Sequence, residues 1–346
     1  MAIIGMDIGK RNSQICIADD EGKVLLERRV KTERLAIQAF FFEKYVGTRI
    51  LLEAGTSTEW IATELEALGL VVIVADPSSI PLAALGTRNT KTDRRDARGL
   101  VEALQGLPPG VPPPRADRDD VTLIHARGAQ VGIRTQLINS IKAFLEQDGY
   151  RPASCSSSKF VDAVDELELP DGYLARRGLD SLLATLTAVE AAIQATSTRI
   201  AQRTDEKPAA TRLMQIPGVG PITALMFTAV IGDPTRFKSA KQLRAYLGLA
   251  PREYSSGEKR AVGRISKAGD KTLRSLLVQV AHLLRRSKSE LVAPLAVWSR
   301  EVERRRGKGR AVVALARRFA GILWALWRDE AEFDANRFAQ QPAAEA

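Results

Sequence analysis

Short apolar runs open the chain. AIIGMDI at 2–8 and SQICIAD at 13–19 read as strands, DDEG at 19–22 as a turn, and KVLLERRV at 23–30 as a third strand. The first thirty residues therefore predict an antiparallel meander. The apolar spacing then changes: TERLAIQAFFFEKY at 32–45 is helical, RILLEAG at 49–55 is a buried strand, and STEWIATELEALG at 57–69 is a helix closed by Gly69. LVVIVADP at 70–77 is a further strand, ended by Pro77. Strands now alternate with helices, so crossover units follow the meander.

GLPPGVPPPR at 106–115 would be tolerated by neither a helix nor a central strand, and it marks a boundary. Beyond it, Ile124, Val131, Ile138 and Leu145 recur every seven residues. After a Pro/Ser/Gly-rich interruption, Leu179, Leu182, Leu186, Val189, Ile193 and Ile200 follow at threes and fours, or seven across Thr196. These seams predict two long helices packed as a coiled-coil pair. They fit a hairpin within one chain and a contact between two copies equally well. Further on, Leu273, Leu276, Leu277, Val280, Ala281 and Leu284 form one apolar helix face, and Val313, Leu315, Phe319, Ile322, Leu323 and Leu326 another.

Charge divides the chain differently from hydropathy. The 346 residues carry 51 basic and 41 acidic side chains, but residues 211–330 alone hold 24 and 9. That net of +15 exceeds the +10 of the whole chain, so one region is expected to face a polyanion. Residues 1–110 and 111–210 are close to neutral, at −1 and −2. No apolar run reaches the roughly 18 residues of a membrane span. The start, MAIIGMDIGK, lacks the basic leader and cleavage site of a signal peptide. Two cysteines, Cys16 and Cys155, exclude a disulfide framework, and two histidines, His125 and His282, exclude a histidine-rich metal site. The expected setting is a reducing cytoplasm, and any metal is a hard one held by carboxylates.

Three antiparallel strands followed by crossover units match a ribonuclease H-like sheet. Asp7 lies in the middle of the apolar first strand, where a carboxylate needs a cation or hydrogen-bond partner. Glu53 ends a strand that neighbours the first in such a sheet. Asp93 and Asp96 in KTDRRDARGL are three apart, hence on one face if the segment is helical. Four converging carboxylates suit two Mg²⁺ ions about 4 Å apart, which would hold a scissile phosphate for in-line attack. Taken singly, each also reads as a strand-end, cap or salt-bridge carboxylate, the better reading for Asp93 or Asp96 alone, and only the set points to metal. MDIGK also has the look of a nucleotide-phosphate loop, but Lys10 stands where that loop carries threonine, and no second loop follows.

In the basic region, IPGVGPITA suggests a helix, a tight turn at Gly218 and Gly220, and Pro221 in the first turn of a second helix. Such a helix-hairpin-helix element can hold DNA phosphates through backbone N–H groups without reading bases. The segment from 250 to 274 reads as loop in its first half, exposing Ser255, Ser256 and Ser266 among Arg252, Lys259, Arg260, Arg264 and Lys267. A serine hydroxyl there could attack a phosphodiester. The run Arg304, Arg305, Arg306, Lys308 and Arg310 adds a further backbone contact.

The order Asp7, Glu53 in LLEAG, Asp93 and Asp96 in TKTDRRDA, then IPGVGPITA, APREYSSGEKRAVGRISKAGDKTLR and AVVALARRFAGILWAL resembles the DEDD transposases of the insertion-sequence 110 family, relatives of the Piv-type DNA invertases. The resemblance spans nearly the whole chain. It implies an α/β, RuvC-like domain at 1–110, a helical coiled-coil connection at 111–210, a mainly helical transposase domain at 211–330 and a tail at 331–346. It also implies a site-specific recombinase whose serine precedes a glycine, which maps onto Ser256 with Gly257. Ser255 stands beside it as a second candidate. The implied partners are donor and target double-stranded DNA, a bridge RNA encoded by the element, and further copies of the chain in a dimer or tetramer. The implied location is the bacterial cytoplasm, at the nucleoid when bound to DNA. Carboxylates and serine fall in different regions, so the chemistry requires them at one phosphate. A RuvC-like structure-specific endonuclease using the same carboxylates with water, and an architectural binder of nucleic acid, are the alternatives.

Overall fold

The computed structural model describes residues 2–53, 55–75, 93–105, 117–256, 259–267 and 269–333, with the side chains of 252–262 outside the description. The chain divides into two compact units, Met1–Pro113 and Pro114–Ala346. Pro77, the proline-rich segment at 106–115 and most of the tail lie outside the described residues.

The first unit is built on one mixed sheet. β1 (Ile3–Asp7), β2 (Asn12–Ala18) and β3 (Val24–Lys31) form the meander, and β4 (Arg49–Glu53) and β5 (Val71–Ala75) add in parallel beside β1. The strand order is β3-β2-β1-β4-β5, consistent with a RuvC-like, ribonuclease H-like sheet. Strand alternation sorts the side chains. Ile4, Met6, Ile50 and Leu52 face α1 (Arg34–Phe41) and α2 (Thr58–Ala67), while Ile3, Cys16, Ala18 and Leu51 face α3 (Asp93–Gln105). The helix expected at 32–45 ends early, at Phe41, because Glu43 turns left-handed with φ +53°.

α3 lies almost against the sheet backbone. A methyl group at Gly5 of β1 would come within 2.3 Å of the Ala97 carbonyl and 2.8 Å of the Val101 nitrogen, so only glycine admits this approach. At the far end of α3, the Gln105 side chain donates to the Asp20 carbonyl in the β2–β3 turn, at 3.3 Å. Because β1 and β2 are antiparallel, that turn lies at the edge where β1 begins. α3 therefore runs against β1, and its first turn lies at the edge where β1 ends.

Among its described residues, the second unit is helical apart from one hairpin. α4 (Arg118–Gln147) and α7 (Leu179–Asp205) lie side by side, with α5 (Phe160–Asp165) and α6 (Tyr173–Arg176) packed at their distal end around Ile141, Leu145 and Phe160. Ile124, Ile138, Leu145, Leu186, Ile193 and Ile200 are buried as expected. Leu183 takes the buried position predicted for Leu182, which is only half-buried. Arg134 pairs with Glu190 at 3.4 Å, and Arg127 donates to the Ser197 hydroxyl at 2.7 Å. Ile124 and Ile200 join the main core of the unit, built from α8 (Pro208–Met214), α9 (Pro221–Ile231), α10 (Ala240–Tyr246), α11 (Lys271–Arg286), α12 (Ala293–Arg306) and α13 (Lys308–Arg328). α11 buries Leu273, Leu277, Val280, Ala281 and Leu284 of the predicted stripe, with Leu276 half-buried. On α13, Val312 rather than Val313 faces the core, one residue off the predicted face.

Candidate active site

Asp7 and Glu53 end neighbouring strands. β1 and β4 pair in parallel register through Met6 and Leu52, and one further step places Asp7 beside Glu53. Alternation along each strand sets both on the α3 face, with Ile3 and Gly5 preceding Asp7 and Leu51 preceding Glu53. The sequence places Asp7 in mid-strand, whereas the strand stops there and Asp7 is half-buried. The cause is the turn that follows. A methyl at Gly9 would come within 2.2 Å of the Asn12 carbonyl, and the Gly9 carbonyl accepts from Thr32 Oγ1 at 2.8 Å, so the chain folds back tightly after β1.

Asp93 and Asp96 form the first turn of α3, at the same edge and on the same face of the sheet. They differ in surroundings: Asp93, the first residue of the helix, is exposed, whereas Asp96 is only 4% exposed under the helix. The segment is helical, as the three-residue spacing requires. Among the described residues, no three His, Cys, Asp or Glu side chains are already drawn round one point that could hold a cation. The structure thus brings Asp7 and Glu53 together at two adjacent strand ends, whereas Asp93 and Asp96, on the first turn of α3, are not among the residues that line the cleft beside them.

A cleft of about 630 Å³ opens at this edge. Asp7, Ile8, Gly9 and Lys10 line one side, and Glu53, Gly55, Thr56, Ser57 and Thr58 the other. Thr58 builds its floor: its hydroxyl donates to the Glu53 carbonyl at 2.7 Å and accepts from the Gly55 N–H at 2.8 Å, fixing the route from β4 into α2. Lys10, read only as a mismatch to a nucleotide loop, and Thr56 and Ser57 were not singled out by sequence. Their signal was position alone, since each follows a carboxylate-bearing strand end by about three residues.

Sequence reasoning also missed Glu27. It lies on β3 opposite Cys16 of β2 and accepts two hydrogen bonds from Arg98 of α3, Nε at 2.6 Å and Nη2 at 3.0 Å. Arg94 Nε stands 3.2 Å from the same carboxylate. The hydrogen bonds from Arg98 hold the Glu27 carboxyl below the usual carboxylate range. Burial pushes the neighbouring Cys16 thiol up.

In the second unit, α8 ends before an exposed turn at Gly218 and Gly220, and Pro221 occupies the first turn of α9 as predicted. Between the two glycines, Val219 is buried, which pins the turn to the core. The segment expected to be loop is instead a hairpin, β6 (Pro251–Ser256) and β7 (Lys259–Ile265), with Ser255 opposite Arg260 and Ser256 opposite Lys259. Glycine punctuation concealed an alternating strand, RAVGRI. Ser256 is the last residue of β6, and Gly257 lies outside the described residues, as do the side chains of Arg252, Ser255, Ser256, Lys259 and Arg260. Arg264 and Lys267 are exposed. Ser266, expected to be exposed, is half-buried because its backbone N–H donates to the Ala250 carbonyl at 2.9 Å, closing the base of the hairpin. Arg304, Arg305, Arg306, Lys308 and Arg310 are all exposed around the α12–α13 turn. Among the described residues, no helix is long and apolar enough to cross a membrane.

Comparison with known proteins covers both units. Residues 4–148 match a family model described as a transposase, of the DEDD type of insertion sequence IS110, and residues 210–294 match the transposase IS116/IS110/IS902 family. The transposase for insertion sequence element IS1111A of Coxiella burnetii is 31% identical over 330 residues, covering 94% of this chain and 89% of its own. A probable family 20 transposase of Pseudomonas aeruginosa is 30% identical over 333 residues, covering 93% and 96%. The transposase for element IS1328 of Yersinia enterocolitica is 29% identical over 329 residues, covering 94% and 96%. The strand-end carboxylates, the acidic start of α3 and the basic helical unit are therefore features of a chain that belongs to the IS116/IS110/IS902 family of transposases.

Proposed function

We propose that this transposase cuts and rejoins DNA at the ends and target of its element, through Asp7, Glu53, Asp93 and Asp96 together with Ser256. The observation that carries the reading is the shared edge: two strand-end carboxylates in adjacent register, with the acidic first turn of α3 above them on the same face. An all-oxygen donor set of this kind fits a hard divalent cation, with Mg²⁺ the choice and two ions the expected number. Bound there, such ions supply charge neutralisation and orientation at a phosphodiester. Lys10, exposed at the mouth of the cleft, adds a fixed positive charge for the same phosphate.

In the second unit, Ser256 ends a strand within a basic hairpin. Its hydroxyl oxygen attacks phosphorus, its proton passes to solvent or base, and one DNA oxygen leaves as a hydroxyl. The phosphoserine link conserves the bond, and an incoming DNA hydroxyl then displaces the serine. Gly218 and Gly220 with the α9 start, Arg252, Lys259, Arg260, Arg264 and Lys267 hold the DNA backbone. A bridge RNA encoded by the element, paired with donor and target, sets the sequence, and the active assembly contains more than one copy of the chain. The helix-hairpin-helix reading of 213–227 and the coiled-coil reading of α4 with α7 belong to the same proposal.

Trapping a covalent protein–DNA adduct tests the serine. The adduct forms with wild type, disappears in Ser256→Ala and persists in Ser255→Ala. Persistence in Ser256→Ala with loss in Ser255→Ala moves the role to the neighbour. Metal-dependent cleavage with no adduct in any form makes the chain a water-using RuvC-like nuclease instead.

A further inference from the structure

We propose that Glu27 is a positioning residue for the metal-binding carboxylates of α3, gripping that helix through Arg94 and Arg98 on either side of Asp96. The inference rests on the metal reading above. β3 is mostly exposed, with Val24, Leu25 and Leu26 open to solvent and Val30 half-buried against the α1–α2 side of the sheet. Glu27 is a charged residue on this strand, yet its side chain is only 10% exposed, because two arginines cover it.

The geometry is specific to the pair. Arg98 presents a two-pronged guanidinium to both carboxylate oxygens, at 2.6 and 3.0 Å, a match that lysine cannot reproduce. Arg94, one turn earlier, reaches the same group at 3.2 Å. Asp96 lies between the two arginines, and Asp93 directly precedes Arg94. Arg94 and Arg98 of RRDAR are thus directed at the sheet. The rest of α3 is fixed by the close approach at Gly5 and by the Gln105–Asp20 bond at its far end. The Glu27 grip supplies the remaining constraint, on the acidic end, and so sets the rotation of the helix about its axis and with it the direction of Asp96. Outer partners that orient metal ligands typically matter by about 10- to 100-fold in metal affinity.

The test uses the full chain with Glu27→Gln and, as a milder second variant, Arg98→Lys. Strand cleavage is titrated with Mn²⁺, and amide hydrogen exchange across 93–98 is followed without metal. The expected result is a metal midpoint raised about 10- to 100-fold, near-normal cleavage at saturating Mn²⁺, and faster exchange confined to the first turns of α3. A purely structural role would lower the rate at every metal concentration without rescue, and that result overturns the proposal. So does an unchanged midpoint with unchanged exchange in both variants. Asp7→Ala, run alongside, separates the two readings: normal cleavage by that variant removes the metal site, and the exchange arm then decides the grip alone.

Discussion

Asp7 and Glu53 end adjacent parallel strands, one register step beyond the Met6–Leu52 pair, with both side chains on the face that α3 covers. Residues that act on one phosphate as a unit are not additive when removed. Asp7→Asn, Glu53→Gln and the double variant are therefore expected to fall to the same residual cleavage rate. Single-turnover kinetics check this, and a double variant that loses the product of two separate factors would argue that the two act independently.

Gly5→Ala inserts a methyl where the Ala97 carbonyl already stands 2.3 Å from the added carbon. The backbone of α3 must move, at a cost of about 1–3 kcal/mol for overpacking. A lowered melting temperature is expected, together with a loss of cleavage larger than the loss of folded protein, because the shift displaces Asp96. Thermal melts and rate measurements on the same sample compare the two.

The base of the α4–α7 pair is tied by ions. Asp120, fully buried, accepts from Arg203 Nε at 2.9 Å and from Lys207, and Lys207 also donates to Asp117 at 2.5 Å. Asp120→Ala removes the carboxylate that the two cations share, leaving Lys207 with Asp117 and Arg203 with Glu206. Partial exposure of Arg203 and Lys207 screens them, so the expected cost is about 2–3 kcal/mol, below that of a fully buried broken pair. Burial opposes the charge on Asp117, but the hydrogen bond from Lys207 and its neighbours outweigh it and leave the carboxyl below its ordinary 3.8. Its contribution is complete above that value and lost as pH falls through the lower folded one. Burial likewise opposes the charge on Lys207, and its two carboxylate partners raise it above its ordinary 10.5. That contribution is complete below 10.5 and lost as pH rises through the higher folded value. Unfolding midpoints against pH should fall at both ends, and Asp117→Asn should flatten the acid limb.

The exposed run at Arg304, Arg305 and Arg306 is expected to touch DNA backbone. Replacing the three by alanine should weaken binding to every DNA sequence alike. The slope of log affinity against log salt should become shallower by about 1 for each phosphate that is no longer neutralised. Binding isotherms at several salt concentrations measure it.

Much of the first unit was legible because its strands and helices announce themselves by period. IIGMD, RILLE and VVIVA alternate or run apolar, and Gly69 closes α2. Glu53 was legible for the same reason, since it stands where an apolar run ends, while Asp7 was read in mid-strand and Asp93 and Asp96 by their three-residue spacing. Glu27 was not, because a charged residue on an edge strand looks solvated until the helix 71 residues away is placed over it. The β6–β7 hairpin was hidden by serine and glycine, whose turn preference masked the strands on either side. Leu183 replaced Leu182 because the choice within a helical stripe depends on the partner helix, which the local pattern does not contain.

The central claim is that the strand-end carboxylates perform metal-dependent DNA cleavage, and comparing Asp7→Ala with wild type in a Mg²⁺-dependent cleavage assay tests it most directly, with DNA binding measured in parallel. The predicted result is cleavage lost in the variant at every Mg²⁺ concentration while salt-sensitive DNA binding stays close to wild type. Cleavage at the wild-type rate by Asp7→Ala would contradict it.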